Sequence, residues 1–321
     1  MEFRLIDRIR ERTAQTRDDV RLGIGDDAAV LVVPHGQELV AAIDTLVEGV
    51  HFPLHTAPAD IGWKALAVNL SDLAAMGATP AWALLALTLP RPDAAFVDGL
   101  ADGFAQLADQ YRLALVGGDT TRGPLSLSVA VHGFVPPGQA LTRAGARAGD
   151  AVLVTGTLGD AAAGLRCLQS KTDDARTARH DVLIDRLNRP VPRLSAGLAL
   201  RGRASACLDV SDGLLADLGH LCTASGVGAE IDAALLPCSP ALLGSFDETA
   251  VRDFALSGGD DYELCFTVPA AHAADVQIDL ARLGCGATRI GRIVVGEGVR
   301  VREADGSWLE PSRQGWDHFA P

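Results

Sequence analysis

Lysine is almost missing from this chain: Lys64 and Lys171 are the only two among 28 basic residues. Neither follows a glycine in the G-x-x-x-x-G-K-[ST] pattern, which excludes a P-loop nucleotidase. Basic charge of any kind is short, with 28 Lys and Arg against 41 Asp and Glu and a formal net charge of −13. That argues against non-specific nucleic-acid binding, because phosphate contacts need a basic face. An anionic small molecule is still admissible, provided something neutralises its site. The six cysteines, Cys167, Cys207, Cys222, Cys238, Cys265 and Cys285, never form C-x-x-C and mostly lie in apolar segments. They read as buried reduced thiols of a cytoplasmic protein, against disulfides or zinc. No apolar run reaches the roughly eighteen residues of a membrane helix, so no membrane partner is expected. The opening "MEFRLIDRIRERT" is too charged for a secretory signal.

What is present is a large apolar reserve. The 321 residues are 48% hydrophobic, and the mean hydropathy is +0.18. A sizeable core is available, and two domains are the better prior for this length.

The stretch "VRLGIGDDAAVLVV" matches a dinucleotide-binding loop at Gly23, Gly25 and Ala28, with Asp44 near the place of a ribose-binding acid. Its context excludes that reading. A Rossmann loop opens a helix, whereas "AAVLVV" is a β-type run, followed by a turn at "PHGQ" and a second run "ELVAAID". The pattern reads as a hairpin. Asp26 and Asp27 would also repel a pyrophosphate that only a helix N-terminus was there to attract.

Further along, "IGWKALAVNLSDLAAMGA" reads as a helix closed by Gly77 and Pro80, and "WALLALTLP" as a buried strand. "PDAAFVDGLADGFAQLADQYR" reads as a helix with Phe96, Leu100, Phe104, Leu107 and Tyr111 on one face. "LALVGGD" is a strand ending at Asp119, and "LSLSVAVHGFV" is another. Pro, Gly and charge then break the pattern in "VPPGQALTRAGARAGD", which places a domain boundary there, with segments 1–137 and 138–321. After it come "AVLVTG" as a strand and "DAAAGLRCLQS" and "VPRLSAGLALRG" as helices. "SACLDVSDG" leads from a strand into the helix "LLADLGHLCTAS", stopped by Gly226. "DFALSGGDDYELCFTV" is a Gly-rich loop feeding a strand, "AADVQIDLARLG" a helix, and "TRIGRIVVGEGVRVREADG" a closing hairpin. Mixed elements in two segments predict α+β or α/β domains.

The acids are distributed unusually. They stand where an apolar run meets a Gly, Ser or Thr turn: "GIGDDA", "AAIDT", "NLSDLAAMG", "LVGGDTT", "CLDVSDG" and "LSGGDDYEL". These turns select the short carboxylate and mostly lack an adjacent base. Desolvated carboxylates without partners are costly, but they become favourable where they converge on Mg²⁺, which takes one or two carboxylates plus substrate phosphates. Several such ions make an acidic cleft a receptor for polyphosphate and neutralise charge during phosphoryl transfer. Any single Asp at a turn is more often a cap or Asx-turn than a ligand; it is the series of such turns that points to metal.

Taken in order, "GIGDDAAV", "DTLVEGVHF", "KALAVNLSDLAAMGATP", "GGDTTRGPLSLSV", "HGFVPPGQALTRAGARAGD", "VTGTLGD", "DVSDGLLADLGHL" and "SGGDDYELCFTV" resemble the thiamine-monophosphate kinases, a family of the aminoimidazole-ribonucleotide-synthetase-like (PurM-like) superfamily of ATP-binding enzymes. The resemblance covers nearly the whole chain and thins around Lys171–Arg189 and at the last strands. It implies transfer of a phosphoryl group from ATP to thiamine monophosphate with Mg²⁺, giving thiamine diphosphate. It also implies an α+β chain of two domains: an N-terminal mixed-sheet domain that binds ATP and Mg²⁺ and pairs in a homodimer, and a C-terminal α/β domain completing the nucleotide and substrate site. Carried residue by residue, it implies Asp27, Asp44, Asp72, Asp119, Asp209 and Asp212 as magnesium ligands, with Asp119 and Asp209 the most critical. Gly118, Asp119, Arg143 and Ser211 match ATP-contacting positions, and His51, Asp260 and Trp316 match positions that touch the thiamine phosphate. Two departures stand out. Ala42 and Ile43 replace hydroxyl residues before "DT", leaving only backbone carbonyls for a metal, and the family's "GGED" is "GGDD" here, so Asp260 is one methylene shorter.

The chemistry fits the residues. A phosphate monoester has a second pKa near ~6, so its oxygen is already an anionic nucleophile at neutral pH. No general base is needed and no triad is present; positioning and charge neutralisation are. Arg143 adds a phosphate contact. Other residues carry two readings. His51 is a ligand or a packed histidine. Trp316 pins the C-terminus or lays its face on the cationic thiamine ring. Lys64 reads as lying on a solvated helix face. "TGTLGDAAAG" is a helix-start anion site or tight strand–helix packing. Competing functions are another ATP-dependent synthetase of the superfamily, a metallophosphatase, and a non-catalytic nucleotide or metal sensor. A selenophosphate-synthetase-like enzyme would need a reactive Cys and a Lys near the N-terminus, and neither occurs before Lys64.

Overall fold

A computed structural model describes residues 2–170, 177–310 and 315–316. The chain forms two compact units, Met1–Leu73 with Ala78–Gly138, and Ala74–Gly77 with Gln139–Pro321.

The first unit runs α1 (Glu2–Arg12), β1 (Val20–Leu22), β2 (Val30–Leu31), β3 (Glu38–Val47), α2 (Pro58–Ala75), β4 (Thr79–Leu89), α3 (Ala94–Tyr111), β5 (Ala114–Arg122) and β6 (Ser126–Val135). Its sheet has the order β3-β6-β4-β5. It is mixed, because β6 is antiparallel to β3 and β4 while β5 is parallel to β4. Alternation sorts its residues. Leu85, Leu87, Leu127, Val129 and Val131 are buried, whereas Ile43 is 65% and Leu84 37% exposed. α2 is apolar around most of its circumference, as a fully buried helix must be, and Leu66, Leu70 and Leu73 are wholly enclosed. It meets α3 backbone to backbone: a Cβ on Gly62 would lie 2.0 Å from Leu100 O, and one on Gly103 1.8 Å from Ala59 O. Asp93 caps α3 by accepting the Phe96 N–H at 3.1 Å. On the other sheet face, Val20, Ala29 and Leu31 pack against Trp82 and Phe134.

The second unit contains β7 (Asp150–Thr155), α4 (Asp160–Gln169), α5 (Ala178–Asn188), α6 (Leu194–Leu200), β8 (Ala206–Val210), α7 (Leu214–Ser225), β9 (Gly228–Asp232), α8 (Pro240–Leu243), α9 (Glu248–Ser257), β10 (Glu263–Pro269), α10 (Ala273–Arg282), β11 (Ala287–Val294), β12 (Gly298–Arg302) and β13 (Trp308–Leu309). The seven strands lie in the order β13-β12-β9-β11-β7-β10-β8. The core joins Val152, Val154, Leu208, Val210, Leu218, Cys265, Ile290 and Ile293. The mixed α and β architecture is the expected one.

Both expected hairpins are absent. The turn exists, with Gln37 N–H donating to Pro34 O at 3.2 Å, but β2 pairs with β1 and β3 with β6. β11 and β12 do not pair either: β9 lies between them, antiparallel to β11 and parallel to β12. Turn chemistry is local, whereas a strand's partner is chosen by long-range fit. At Gly291, for instance, a Cβ would sit 2.1 Å from Glu230 O. β5 does not end at Asp119 but continues to Arg122. Four helices fall outside the expected set: α1, α5 with its Thr177–His180 capping box, α8 and α9. All six cysteines are free thiols, and burial pushes Cys222 up to about 11. Among the described residues no helix is long and apolar enough to cross a membrane. Lys171 lies outside the described residues.

Candidate functional site

In the first unit, "GIGDDA" is a loop between β1 and β2, with no helix after it. Gly25 has φ 129°. Asp26 Oδ1 accepts the Asp27 N–H at 2.8 Å, so Asp26 caps its neighbour. Asp27 is exposed, and no described residue pairs with its carboxylate. Asp44 lies in β3, an edge strand. Its outward N–H is taken by Asn69 Oδ1 of α2 at 2.9 Å. Asn69 is wholly buried and Asp72 follows it by three residues, on the same helix face. Asn69 thus positions Asp44, a role its sequence context did not announce.

Gly118 and Asp119 lie in β5, the opposite edge strand. Only glycine fits at Gly118, where a Cβ would stand 1.9 Å from Leu85 O. The pairing aligns Asp119 with Ala86, Ser128 and Thr45. Asp119 is exposed and, like Asp27, has no described side-chain partner. Asp44 and Asp119 stand three strands apart, about 14 Å across the sheet, so the fold does not bring this pair together.

His51 follows β3 in a closed turn. Gly49 has φ 79°, Gly49 N–H donates to Phe52 O at 2.9 Å, and His51 N–H donates to Val47 O at 3.0 Å. The imidazole Nδ1 accepts the Val47 N–H at 3.0 Å. Lys64 is not on a solvated face: it is 2% exposed, and its Nζ donates to His51 O at 2.9 Å. The helix that carries it is buried on every side, so no solvated face was available.

In the second unit four expected positions meet. Asp260 N–H donates to Ser211 O at 2.8 Å, and Trp316 N–H donates to Asp212 O at 2.9 Å. The knot is organised by Asp217, in the first turn of α7. Its Oδ2 accepts the N–H groups of Ser211, Asp212 and Gly213 at 3.0, 3.0 and 3.1 Å. Burial, with Asp209 and Asp212 nearby, pushes Asp217 up to about 7. Asp209 is buried at the end of β8, paired with Leu264 of β10. Alongside β8 runs the segment carrying Arg143, fixed by Cys207 N–H to Thr142 O at 2.8 Å. The Arg143 guanidinium is exposed and without a described partner.

The loop Gly258–Tyr262 is under backbone strain. Asp260 and Tyr262 have φ 69° and 51°, left-handed values that non-glycine residues rarely adopt. Tyr262 OH donates to Asp260 Oδ1 at 3.0 Å. Between them Asp261 is buried and accepts the Gly159 N–H at 2.7 Å, at the N-terminus of α4. The "TGTLGD" helix start therefore already holds a carboxylate of the protein itself. Glu263 is wholly buried. It accepts Thr155 Oγ1 at 2.7 Å, Arg186 Nη2 at 2.8 Å and Arg193 Nε at 2.6 Å.

The donors suit a hard, oxygen-seeking cation. Among the described residues no three His, Cys, Asp or Glu side chains form a group that could hold a metal. Single exposed carboxylates such as Asp27 and Asp119 fit a cation whose remaining ligands are water and substrate phosphate, which is how Mg²⁺ binds.

Two family models cover most of the chain: AIR synthase related protein, N-terminal domain, over residues 25–135, and the corresponding C-terminal domain over residues 147–303. A thiamine-monophosphate kinase of Escherichia coli K12 is 50% identical over 319 residues, 99% of this chain and 98% of the relative. The crystal structure of thiamine-monophosphate kinase from Stenotrophomonas maltophilia K279a matches with TM-score 0.87 and 53% identity, covering 95% of this chain and 96% of that one. The structure of AaThiL complexed with AMPPCP and TMP matches with TM-score 0.78 and 35% identity, covering 99% and 97%.

Proposed function

The chain belongs to the thiamine-monophosphate kinase family, and on that premise we propose that it phosphorylates thiamine monophosphate with ATP, giving thiamine diphosphate and ADP. A related structure holds TMP together with AMPPCP, an ATP analogue, which supports both substrates. A phosphate oxygen of thiamine monophosphate attacks the γ-phosphorus in line, the bond to the β–γ bridging oxygen breaks, and ADP leaves. Near neutral pH the acceptor oxygen is already anionic, so no side chain acts as general base.

The observation carrying the site assignment is the hydrogen-bonded knot of Ser211, Asp212, Asp260 and Trp316. It supports Ser211 as an ATP contact and Asp260 and Trp316 as acceptor contacts in one place. Gly118, Asp119 and Arg143 complete the ATP contacts, and His51 adds the second-substrate contact from the first unit. Asp27, Asp44, Asp72, Asp119, Asp209 and Asp212 are the Mg²⁺ ligands in this reading. Bound Mg²⁺ neutralises charge on the phosphates. Asp260 keeps its charge but reaches less far than a Glu, and its hydrogen bond from Tyr262 orients it. In this reading the N-terminal segment, 1–137, binds ATP and Mg²⁺, and the C-terminal segment, 138–321, carries further nucleotide and substrate contacts.

We also infer a homodimer through the first unit. Its sheet exposes Leu39, Ile43 and Leu84 at 47%, 65% and 37%, and such apolar patches mark interfaces. A monomer in sedimentation at micromolar concentration would remove that inference. A cytoplasmic location is supported by six free thiols; a disulfide in protein purified without reductant would count against it.

One assay decides the function. Protein, ATP, Mg²⁺ and thiamine monophosphate are incubated and thiamine diphosphate is sought by chromatography. ADP appearing without thiamine diphosphate refutes the kinase.

A further inference from the structure

Lys64 is an expensive residue to place where it stands. It is 2% exposed, and its helix neighbours Ala65, Leu66 and Ala67 are wholly or almost wholly buried. An ammonium in such surroundings is strongly disfavoured unless it is well partnered. Its Nζ reaches out of α2 to His51 O at 2.9 Å. The bond links the buried helix to a turn that is otherwise tied by its own contacts: His51 N–H to Val47 O at 3.0 Å and Gly49 N–H to Phe52 O at 2.9 Å. The ring of His51 is held by the same turn, its Nδ1 accepting the Val47 N–H at 3.0 Å. With Nδ1 as acceptor, the proton of the neutral ring resides on Nε2, and that edge becomes a hydrogen-bond donor. The Val47 N–H therefore sets the ring's tautomer, and Lys64 adds a bond from α2 to the backbone that carries the ring.

We propose that Lys64 is the positioning residue for His51, holding the Val47–Phe52 turn so that Nε2–H meets the phosphate of an anionic phosphate-monoester acceptor. This rests on the reading of the chain as a thiamine-monophosphate kinase with His51 as an acceptor contact. In this proposal Lys64 acts through the His51 carbonyl and is not itself a substrate contact. The position also accounts for a lysine in the interior of an apolar helix. Among donors, only a long, flexible side chain reaches from the axis of α2 to a loop carbonyl, and an ammonium makes the stronger, charge-assisted bond.

The test is steady-state kinetics on wild type, Lys64→Gln, Lys64→Met, His51→Ala and the His51→Ala/Lys64→Met double variant, varying thiamine monophosphate and ATP separately. Losing a hydrogen bond from a charged donor predicts a rise in the KM for thiamine monophosphate of about 10- to 100-fold in Lys64→Met. Lys64→Gln, which keeps an N–H donor, should lose less. The KM for ATP should stay within about twofold, and the double variant should be no worse than His51→Ala alone, because coupled residues are non-additive. A purely structural lysine would instead lower the active fraction for both substrates and add to His51→Ala. Folded Lys64→Met with an unchanged KM for thiamine monophosphate, or additive losses, overturns the proposal. If thermal unfolding shows that Lys64→Met does not fold, Lys64→Gln decides: an unchanged KM for thiamine monophosphate overturns the proposal, and a selective rise supports it. Wild type that makes no thiamine diphosphate refutes the function itself, so the two failures are distinct.

Discussion

Replacing Glu263 by Gln should lower stability by about 3 kcal/mol at neutral pH, and that loss should fade in acid. Glu263 is wholly buried, with one carboxylate shared between Arg186 and Arg193. Removing one member of a buried ion pair typically costs about 3–5 kcal/mol. The low end applies here because both guanidiniums are 18% exposed, and Asp160 stands 3.8 Å from Arg186 Nε as a remaining counter-charge. The amide introduced by Glu263→Gln keeps an acceptor for Thr155, so the loss is electrostatic more than steric. The second unit is of a size for which 1 kcal/mol shifts Tm by about 2–4 °C, giving a fall of roughly 6–12 °C. The pH dependence follows from the carboxyl's position. Burial raises its pKa, but Arg193 and then Arg186 outweigh burial, and the net shift is downward. A carboxyl depressed by folding contributes fully above its unfolded pKa, about 4.3. That contribution is lost as pH falls through the folded value. The difference between wild type and Glu263→Gln should therefore be flat from pH 8 to pH 5 and shrink below pH 4. Calorimetry or thermal circular dichroism across that range measures it. A difference under about 1 kcal/mol at pH 7, or one that grows in acid, would refute the reasoning.

Two further perturbations address the site. Asp217→Ala strips the acceptor from three consecutive N–H groups, each worth about 1–3 kcal/mol when buried and unmade. It should loosen the loop carrying Ser211 and Asp212 and cut kcat more than tenfold, whereas Asp217→Asn, which keeps one acceptor oxygen, should recover most of the fold; equal activity in both variants would remove this role. Asp119→Asn, exposed and without a described partner, should abolish turnover while leaving the melting temperature within about 1 °C; near-normal turnover would take Asp119 out of the metal set.

Much of this was legible in the chain. The failure of "GIGDDAAV" to open a helix excluded a dinucleotide loop, because the period of the following residues is that of a strand. The elements around α2, α3 and α7 were readable because their apolar spacing and their capping or stop residues are local. The motif series was enough to identify the family, since each Asp-bearing turn keeps its order and surroundings. Tertiary structure decided what depends on distant partners. β2 and β3 share a turn but join different sheets, and β9 separates β11 from β12, because ladder partners are chosen by packing across the unit. The interior position of Lys64 was invisible because a helix's own pattern does not say how much of its circumference other elements cover. The strained backbone at Asp260 and Tyr262 and the three N–H hydrogen bonds to Asp217 escaped because they too depend on how the chain folds rather than on a local pattern. The carboxylate that holds a loop, like the lysine that holds His51, is recognised only when the fold brings a side chain to backbone groups whose identity carries no sequence signal.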